Sequence, residues 1–245
     1  MTNMTKSDAH MIDTNKSDVD NGANLADAFE SIMKSRRSVR GFLPTPVPAE
    51  QLHKIFEIAQ RAPSNCNTQP WVVHVVSGEK LEQLRRVLPQ NTMMGKMTPD
   101  FPYSGKYDGA YKERQYDAAH QMYNALNIPR EEKHKRMEVF LRNYSFFGAP
   151  HVAFLFLPEP FGLREAADVG MYAQSLMLAL TANGLASCPQ TSLGFHSEVV
   201  REVLGVEPSF KLLFGISFGH EDTQDPINNA RVGRAALAET TVFHS

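Results

Sequence analysis

In the stretch RAPSNCNTQPWVVHVV, six small and polar residues, Ser64 to Gln69, separate a helical pattern from an apolar run. That run, WVVHVV at 71–76, begins with the only tryptophan of the chain and reads as a buried strand, as short β-branched runs bounded by turn signals do. Amides and hydroxyls beside a core strand need partners if they are buried. The fold must therefore bring backbone, water or a ligand to SNCNTQ.

The rest of the pattern fixes a class. Phe29, Ile32 and Met33 fall at helical spacing in LADAFESIMKSR, and a second helix begins near Pro48 with Leu52, Ile55, Phe56 and Ala59 on one face. EKLEQLRRVL is a third helix, after which residues 89–112 lose periodicity in a long irregular segment. Helical character returns in YKERQYDAAHQMYNAL and REEKHKRMEVFLRNYSFF, then HVAFLFL at 151–157 is a second core strand. LREAADVGMYAQSLMLALTANG is the most apolar helix, with Gly184 where a left-handed cap belongs. LASCPQTSLGF and FKLLFGISFGH supply two more strands. Helices and strands mix without strict βαβ alternation, so the class is α+β. Residues 1–24 are rich in Asn, Asp, Ser and Thr and are expected to be a disordered tail.

Composition excludes several functions. Balanced charge, 25 basic against 27 acidic residues, argues against a binder held mainly by nucleic-acid phosphates. Cys66 and Cys188 stand far apart without a CxxC or Cys/His cluster, which speaks against a disulfide scaffold or a zinc site and for a reduced, cytoplasmic protein. No window approaches a membrane span, no GxxxxGK[ST] or GxGxxG follows a strand, and neither HExxH nor a GxSxG elbow is present. No metal site is expected.

RRSVR gathers Arg36, Arg37, Ser38 and Arg40 at an expected helix end. Guanidinium forks suit phosphate and planar carbonyl acceptors, although a solvated basic surface would read the same way. Arg231 and Arg234 form a second basic pair near the C-terminus, and CPQTS alone is a turn.

Taken together, SRRSVRGFLPTPVPAEQLHKIFEIAQRAPSNCNTQPWVVHVV resembles the N-terminal signature of the FMN-dependent nitroreductase family, with CPQTS and FGISFGHEDTQDPINNARVGR resembling later motifs in the expected order. The resemblance implies a central mixed or antiparallel sheet flanked by helices in an intertwined homodimer, with flavin sites at the subunit interface. It implies that residues 25–245 form one FMN-binding domain, with 89–145 a substrate-facing excursion and 220–245 a C-terminal extension. Arg36, Arg37 and Ser38 would hold the FMN phosphate and ribityl chain, and Arg40 would lie by the pyrimidine edge. Pro63, Ser64, Asn65 and Asn67 would serve the partner's flavin. Pro189, Gln190 and Thr191 would pass beneath the ring, and Arg231 and Arg234 would complete the phosphate clamp. Val232 stands where the family often has Lys, which favours Arg234 over Arg231.

The implied reaction is a ping-pong hydride transfer through flavin N5 from NADPH or NADH to a small aromatic acceptor, nitroaromatic or quinone, with no catalytic side chain. Phe101, Tyr103 and Tyr107 could stack over that acceptor or clasp the partner subunit. Three rivals stand beside it: related chemistry on the same fold (enone reduction, reductive dehalogenation or flavin fragmentation), a non-catalytic flavin-binding protein, and a cofactor-free structural dimer.

Overall fold

The computed structural model describes residues 17–245, so most of the expected disordered tail lies outside the described residues. Helix α1 (Ser17–Ser35) starts ahead of Leu25, where the apolar spacing begins, so residues 17–24 of that expected tail are helical. It forms one compact unit, and Arg36–Ser245 forms a second. Within α1, Glu30 and Lys34 pair one turn apart.

The second unit is built on four strands, β1 (Val72–Val76), β2 (His151–Pro158), β3 (Ala186–Gln190) and β4 (Phe210–Gly219), in the order β1-β2-β4-β3. Every pairing is antiparallel. The helices are α2 (Ala49–Ala59), α3 (Gly78–Met93), α4 (Gly109–Ala125), α5 (Lys133–Leu141), α6 (Leu163–Ala182), α7 (Ser197–Leu204) and a short α8 (Leu237–Thr240). The class is α+β, as the pattern predicts.

HVAFLFL is apolar on both faces because β2 is central and covered on both sides. Ala153, Leu155 and Leu157 join a core with Ile55 of α2 and Leu176 of α6. Val152, Phe154 and Phe156 point the other way, into a core with Leu84 of α3 and Val200 of α7. Between Leu155 and Phe156 the partner in β4 shifts from Phe214 to Leu212, which leaves Leu213 as a bulge. That extra residue reverses the pleat, so Leu212 packs in the Phe154 layer while Ile216 and Phe218 pack in the Leu155 layer.

Two elements differ from the sequence pattern. Helix α3 continues through Pro89 to Met93, carried by Leu81, Leu84 and Leu88, which are fully buried along its core face. The irregular segment therefore contracts to 94–108. Helix α7 was not expected from the sequence, yet Glu198 in its first turn, buried Val200 and a left-handed Gly205 after it (φ 72°) are ordinary helix signals. No helix of the described residues is long and apolar enough to cross a membrane.

His151 opens β2 and is 4% exposed. Its Nε2 accepts the Val47 N–H at 2.9 Å, and its ring stacks on Phe218 with centroids 5.3 Å apart. Burial, and then the nearby His220, push its pKa below the ordinary histidine value. The folded state therefore favours the neutral ring, and its stabilising contribution is complete above the unfolded value of about 6.5. As pH falls from there through the lower native value, the unfolded chain binds the extra proton and stability drops. Urea unfolding at a series of pH values should show this decline, and His151→Gln, which keeps an acceptor but cannot titrate, should make it shallower, the rest coming from His74 and His196, which burial also lowers.

Candidate functional site

After α1 ends, as RRSVR predicts, Arg36–Phe42 runs along the edge of the sheet. Ser38 forms a parallel bridge with Ser187 of β3, and the Val39 N–H donates to the Ser187 carbonyl at 3.0 Å. Val39 is buried, which fixes the register of the arginines around it. On the other side Asn228 locks the same segment: its Oδ1 accepts the Arg40 N–H at 2.8 Å and its Nδ2 donates to the Gly41 carbonyl at 2.8 Å. Gly41 has to be glycine, because a Cβ there would lie 2.6 Å from the Asp225 side chain. Arg142, just past α5, donates to the Arg40 carbonyl at 2.9 Å and pairs with Asp225.

The arginines do not behave alike. Arg37 is paired with the Glu221 carboxylate. Arg36 has no carboxylate partner among the described residues. Burial, and then the like charge of Arg234, pull its pKa below the ordinary arginine value. Arg40 reaches only the Ser38 carbonyl, at 3.3 Å. Arg231 donates to the Asn228 carbonyl at 2.6 Å, and Arg234 to the Val232 and Gly233 carbonyls at 3.1 and 2.9 Å. Backbone carbonyls orient these groups without neutralising them. The result is a concentration of positive charge suited to an anion with several oxygens.

Pro189–Thr191 ends β3 beside this cluster. The Gln190 side chain is fully engaged inward: its Nε2 donates to the Asn143 carbonyl at 2.7 Å and its Oε1 accepts from the Ser217 hydroxyl. Pro189 and Thr191 are exposed, and Gln190 can offer only its backbone to a ligand. The flanking Ser187 and Ser192 hydroxyls are buried without a hydrogen-bond partner among the described residues. Such orphans, next to unneutralised arginines, suit a polar, phosphate-bearing group such as FMN.

The polar loop is built separately. Ser64 Oγ accepts the Gln69 N–H at 2.9 Å, and Asp168 of α6 accepts the Asn65 N–H at 3.1 Å. Cys66, Asn67 and Gln69 have left-handed φ values of 48°, 54° and 47°. Non-glycine residues in that region cost of order 1–3 kcal/mol each and cluster at ligand clamps. Trp71 secures the loop exit, stacking on Tyr172 at 5.0 Å while its indole N–H donates to Gln60 at 2.9 Å. Pro63, Asn65, Cys66 and Asn67 face solvent, with Ser64 partly covered. Among the described residues no hydrogen bond ties this loop to the arginine cluster of its own chain.

Of the aromatic trio, Phe101 is half-buried and packs against the Leu155 core. Tyr103 and Tyr107 are exposed, with hydroxyls 3.5 Å apart, and Tyr103 leans on Phe195 with centroids at 5.2 Å. Their base is pinned by Asp100, which pairs with Arg201 and accepts the Leu212 N–H at 2.7 Å. Cys188 is buried, and burial pushes its thiol up to about 11; Cys66 is exposed and unpaired.

Sequence reasoning missed Asp168, Arg142, Glu221 and Asn228. Asp168 had a signal, a carboxylate beside Val169 in the most apolar helix. Asn228 follows an Asp-Pro pair whose Asp225 caps the turn Pro226–Asn229 by accepting the Ile227 N–H.

An antiparallel domain with unneutralised arginines along one sheet edge and an amide-rich strained loop is a cofactor-binding architecture. The Nitroreductase family model matches residues 33–220, and the chain belongs to that family. It is 47% identical to nitroreductase NfnB of Mycolicibacterium smegmatis over 221 residues, 90% of this chain and 94% of the relative. It is 32% identical to a 4-nitrobenzoate reductase of Pseudomonas putida over 90% of this chain and 97% of the relative. The crystal structure of the FMN-dependent nitroreductase NfnB from Mycobacterium smegmatis in complex with NADPH superposes with a TM-score of 0.87 at 46% identity, covering 90% of this chain and all of that one.

The loop anchor is testable by amide exchange. Asp168→Ala removes the acceptor for the Asn65 N–H, so exchange at Asn65 should quicken about tenfold, the value of one hydrogen bond to a charged group. Amides of β2 should be protected as before.

Proposed function

We propose that this protein is an FMN-dependent oxidoreductase that uses NADPH or NADH to reduce nitroaromatic acceptors, and quinones as a second class. The observation that carries the reading is the unneutralised Arg36–Arg234 pair at the edge of β3. It is supported by the similarity to the FMN-dependent M. smegmatis NfnB, whose structure holds NADPH, and to the 4-nitrobenzoate reductase of P. putida.

When bound, FMN supplies a centre that accepts hydride from one substrate and gives it to the next. The chain's own work is positioning and electrostatics. Arg36 and Arg234 hold the phosphate, which removes their mutual repulsion, and the Ser38 hydroxyl completes the grip. Arg231 orients the C-terminal segment from its bond to Asn228. Arg37, held by Glu221, braces the clamp more than it binds. The Arg40 backbone is locked by Asn228 and Arg142, and its guanidinium, held only by the Ser38 carbonyl, would offer positive charge to the pyrimidine side of a bound flavin. Pro189, the Gln190 backbone and Thr191 shape the floor.

Pro63, Ser64, Asn65 and Asn67 of one protomer serve the site of its partner, so the working unit is a homodimer. Their exposure and separation from their own arginine cluster support this arrangement. Tyr103 and Tyr107 form the aromatic wall for the acceptor, within a substrate-facing excursion at 89–145 of a domain spanning 25–245. The free cysteines, one buried, suit a reduced cytoplasmic setting.

The reading separates two neighbouring arginines. Arg36→Ala should weaken FMN binding about tenfold or more, since a charged hydrogen-bond partner is lost, and NADPH-driven reduction of a nitroaromatic should fall with it. Arg37→Ala, which mainly releases Glu221, should keep the yellow colour and most of the activity. Equal losses in both variants, or none in either, would contradict the assignment. Absorbance at saturation and the FMN dissociation constant decide it.

A further inference from the structure

Helices α4 and α5 flank a half-open groove of about 600 Å³, within the 89–145 excursion but lined by none of the individual site residues named above. Its walls include Tyr116, His120 and Tyr123 of α4, Arg130 of the connecting turn and Arg136 of α5. The turn is fixed by Asn127 at φ 53° and by the Ile128 N–H donating to the Tyr123 carbonyl at 2.9 Å, which sets the two helices apart at a defined spacing.

The charges in this groove are unusual for a chain of net charge −2. The guanidinium of Arg136 lies over the Tyr123 ring, 3.7 Å from its centroid. Lys112 sits 5.7 Å from the centroid of Tyr116. Carboxylates are close in sequence but engaged elsewhere: Glu132 pairs with Lys135 and Glu138 with His134. Asp117, the one acidic lining residue, accepts from the Gln121 amide at 3.2 Å. Arg130 and Arg136 therefore have no carboxylate partner among the described residues. Helix α4 has no buried residue, and Tyr116 is exposed while Tyr123 carries Arg136 on one face.

A groove with one arginine seated on a tyrosine, a second tyrosine exposed, and guanidiniums without carboxylate partners has a definite chemical preference. Planar π systems stack on the tyrosine and guanidinium faces, and an anionic group takes the remaining N–H donors. We infer that the α4–α5 groove is a second binding site, for a planar aromatic group carrying a phosphate or carboxylate. Two sources share that chemistry: the adenosine phosphate portion of a nicotinamide nucleotide, and an aromatic carboxylate. The volume accommodates either.

Calorimetric titration of the flavin-loaded, full-length protein with 2′-AMP, 5′-AMP and benzoate separately tests this. At least one should bind saturably, and Arg130→Ala/Arg136→Ala should weaken that binding about tenfold or more while leaving FMN content and spectrum unchanged. Binding of an adenosine phosphate without benzoate assigns the groove to the nucleotide, and binding of benzoate assigns it to carboxylates. The inference is overturned if none of the three binds, as when a second copy of the chain covers the groove, or if binding survives the double substitution. Both residues lie at the surface of the helical pair, and the wild-type titration alone can reject the site.

Discussion

Positive charge without a counter-charge is the constraint on which this structure turns. Arg36 is partly desolvated beside Arg234, an arrangement that is unfavourable in the free chain and is held by neighbouring structure. Hydrogen bonds to the backbone supply the holding force: the Val39 N–H to Ser187 on one side, and the Asn228 side-chain amide with Arg40 and Gly41 on the other. Each is worth about 0.5–1.5 kcal/mol net, so several together are needed to maintain like charges at close quarters. An anion reverses the sign of the interaction. Binding energy and local stability are thus coupled at this edge of the sheet.

The doubly buried β2 makes such a rigid edge possible. Its side chains fill both layers, and the Leu213 bulge lets β4 serve both with one strand. Strands β3 and β4 then present Ser187–Thr191 at a fixed height beside the arginines. The Ser64–Gln69 loop uses the same economy of anchoring: Asp168 and Trp71 fasten its two ends, while three left-handed residues aim the amides outward.

Much of this was legible in the residues. The runs WVVHVV and HVAFLFL mark two strands because their β-branched and aromatic content has no helical period, and Gly184 marks the end of α6. RRSVR, PSNCNTQ and CPQTS were visible as motifs because their polarity interrupts apolar patterns. What sequence could not give was pairing across long separations. Glu221 lies far along the chain from Arg37, and only folding reveals that it neutralises that arginine and leaves Arg36 free. Phe101 and Tyr103 look equivalent in FPYSGKY, yet one is half-buried against the core and the other is exposed. Pro89 was misleading because local propensity yielded to the packing of Leu84 and Leu88.

The central claim is that this arginine-lined edge holds a flavin that turns over with a nicotinamide nucleotide. The most direct measurement is the visible absorption spectrum of the purified protein under anaerobic conditions, before and after stoichiometric NADPH or NADH. The account predicts a flavin spectrum that bleaches on addition and recovers when a nitroaromatic acceptor is supplied. A flavin that stays oxidised with both nucleotides, or a protein that takes up no FMN, would contradict it.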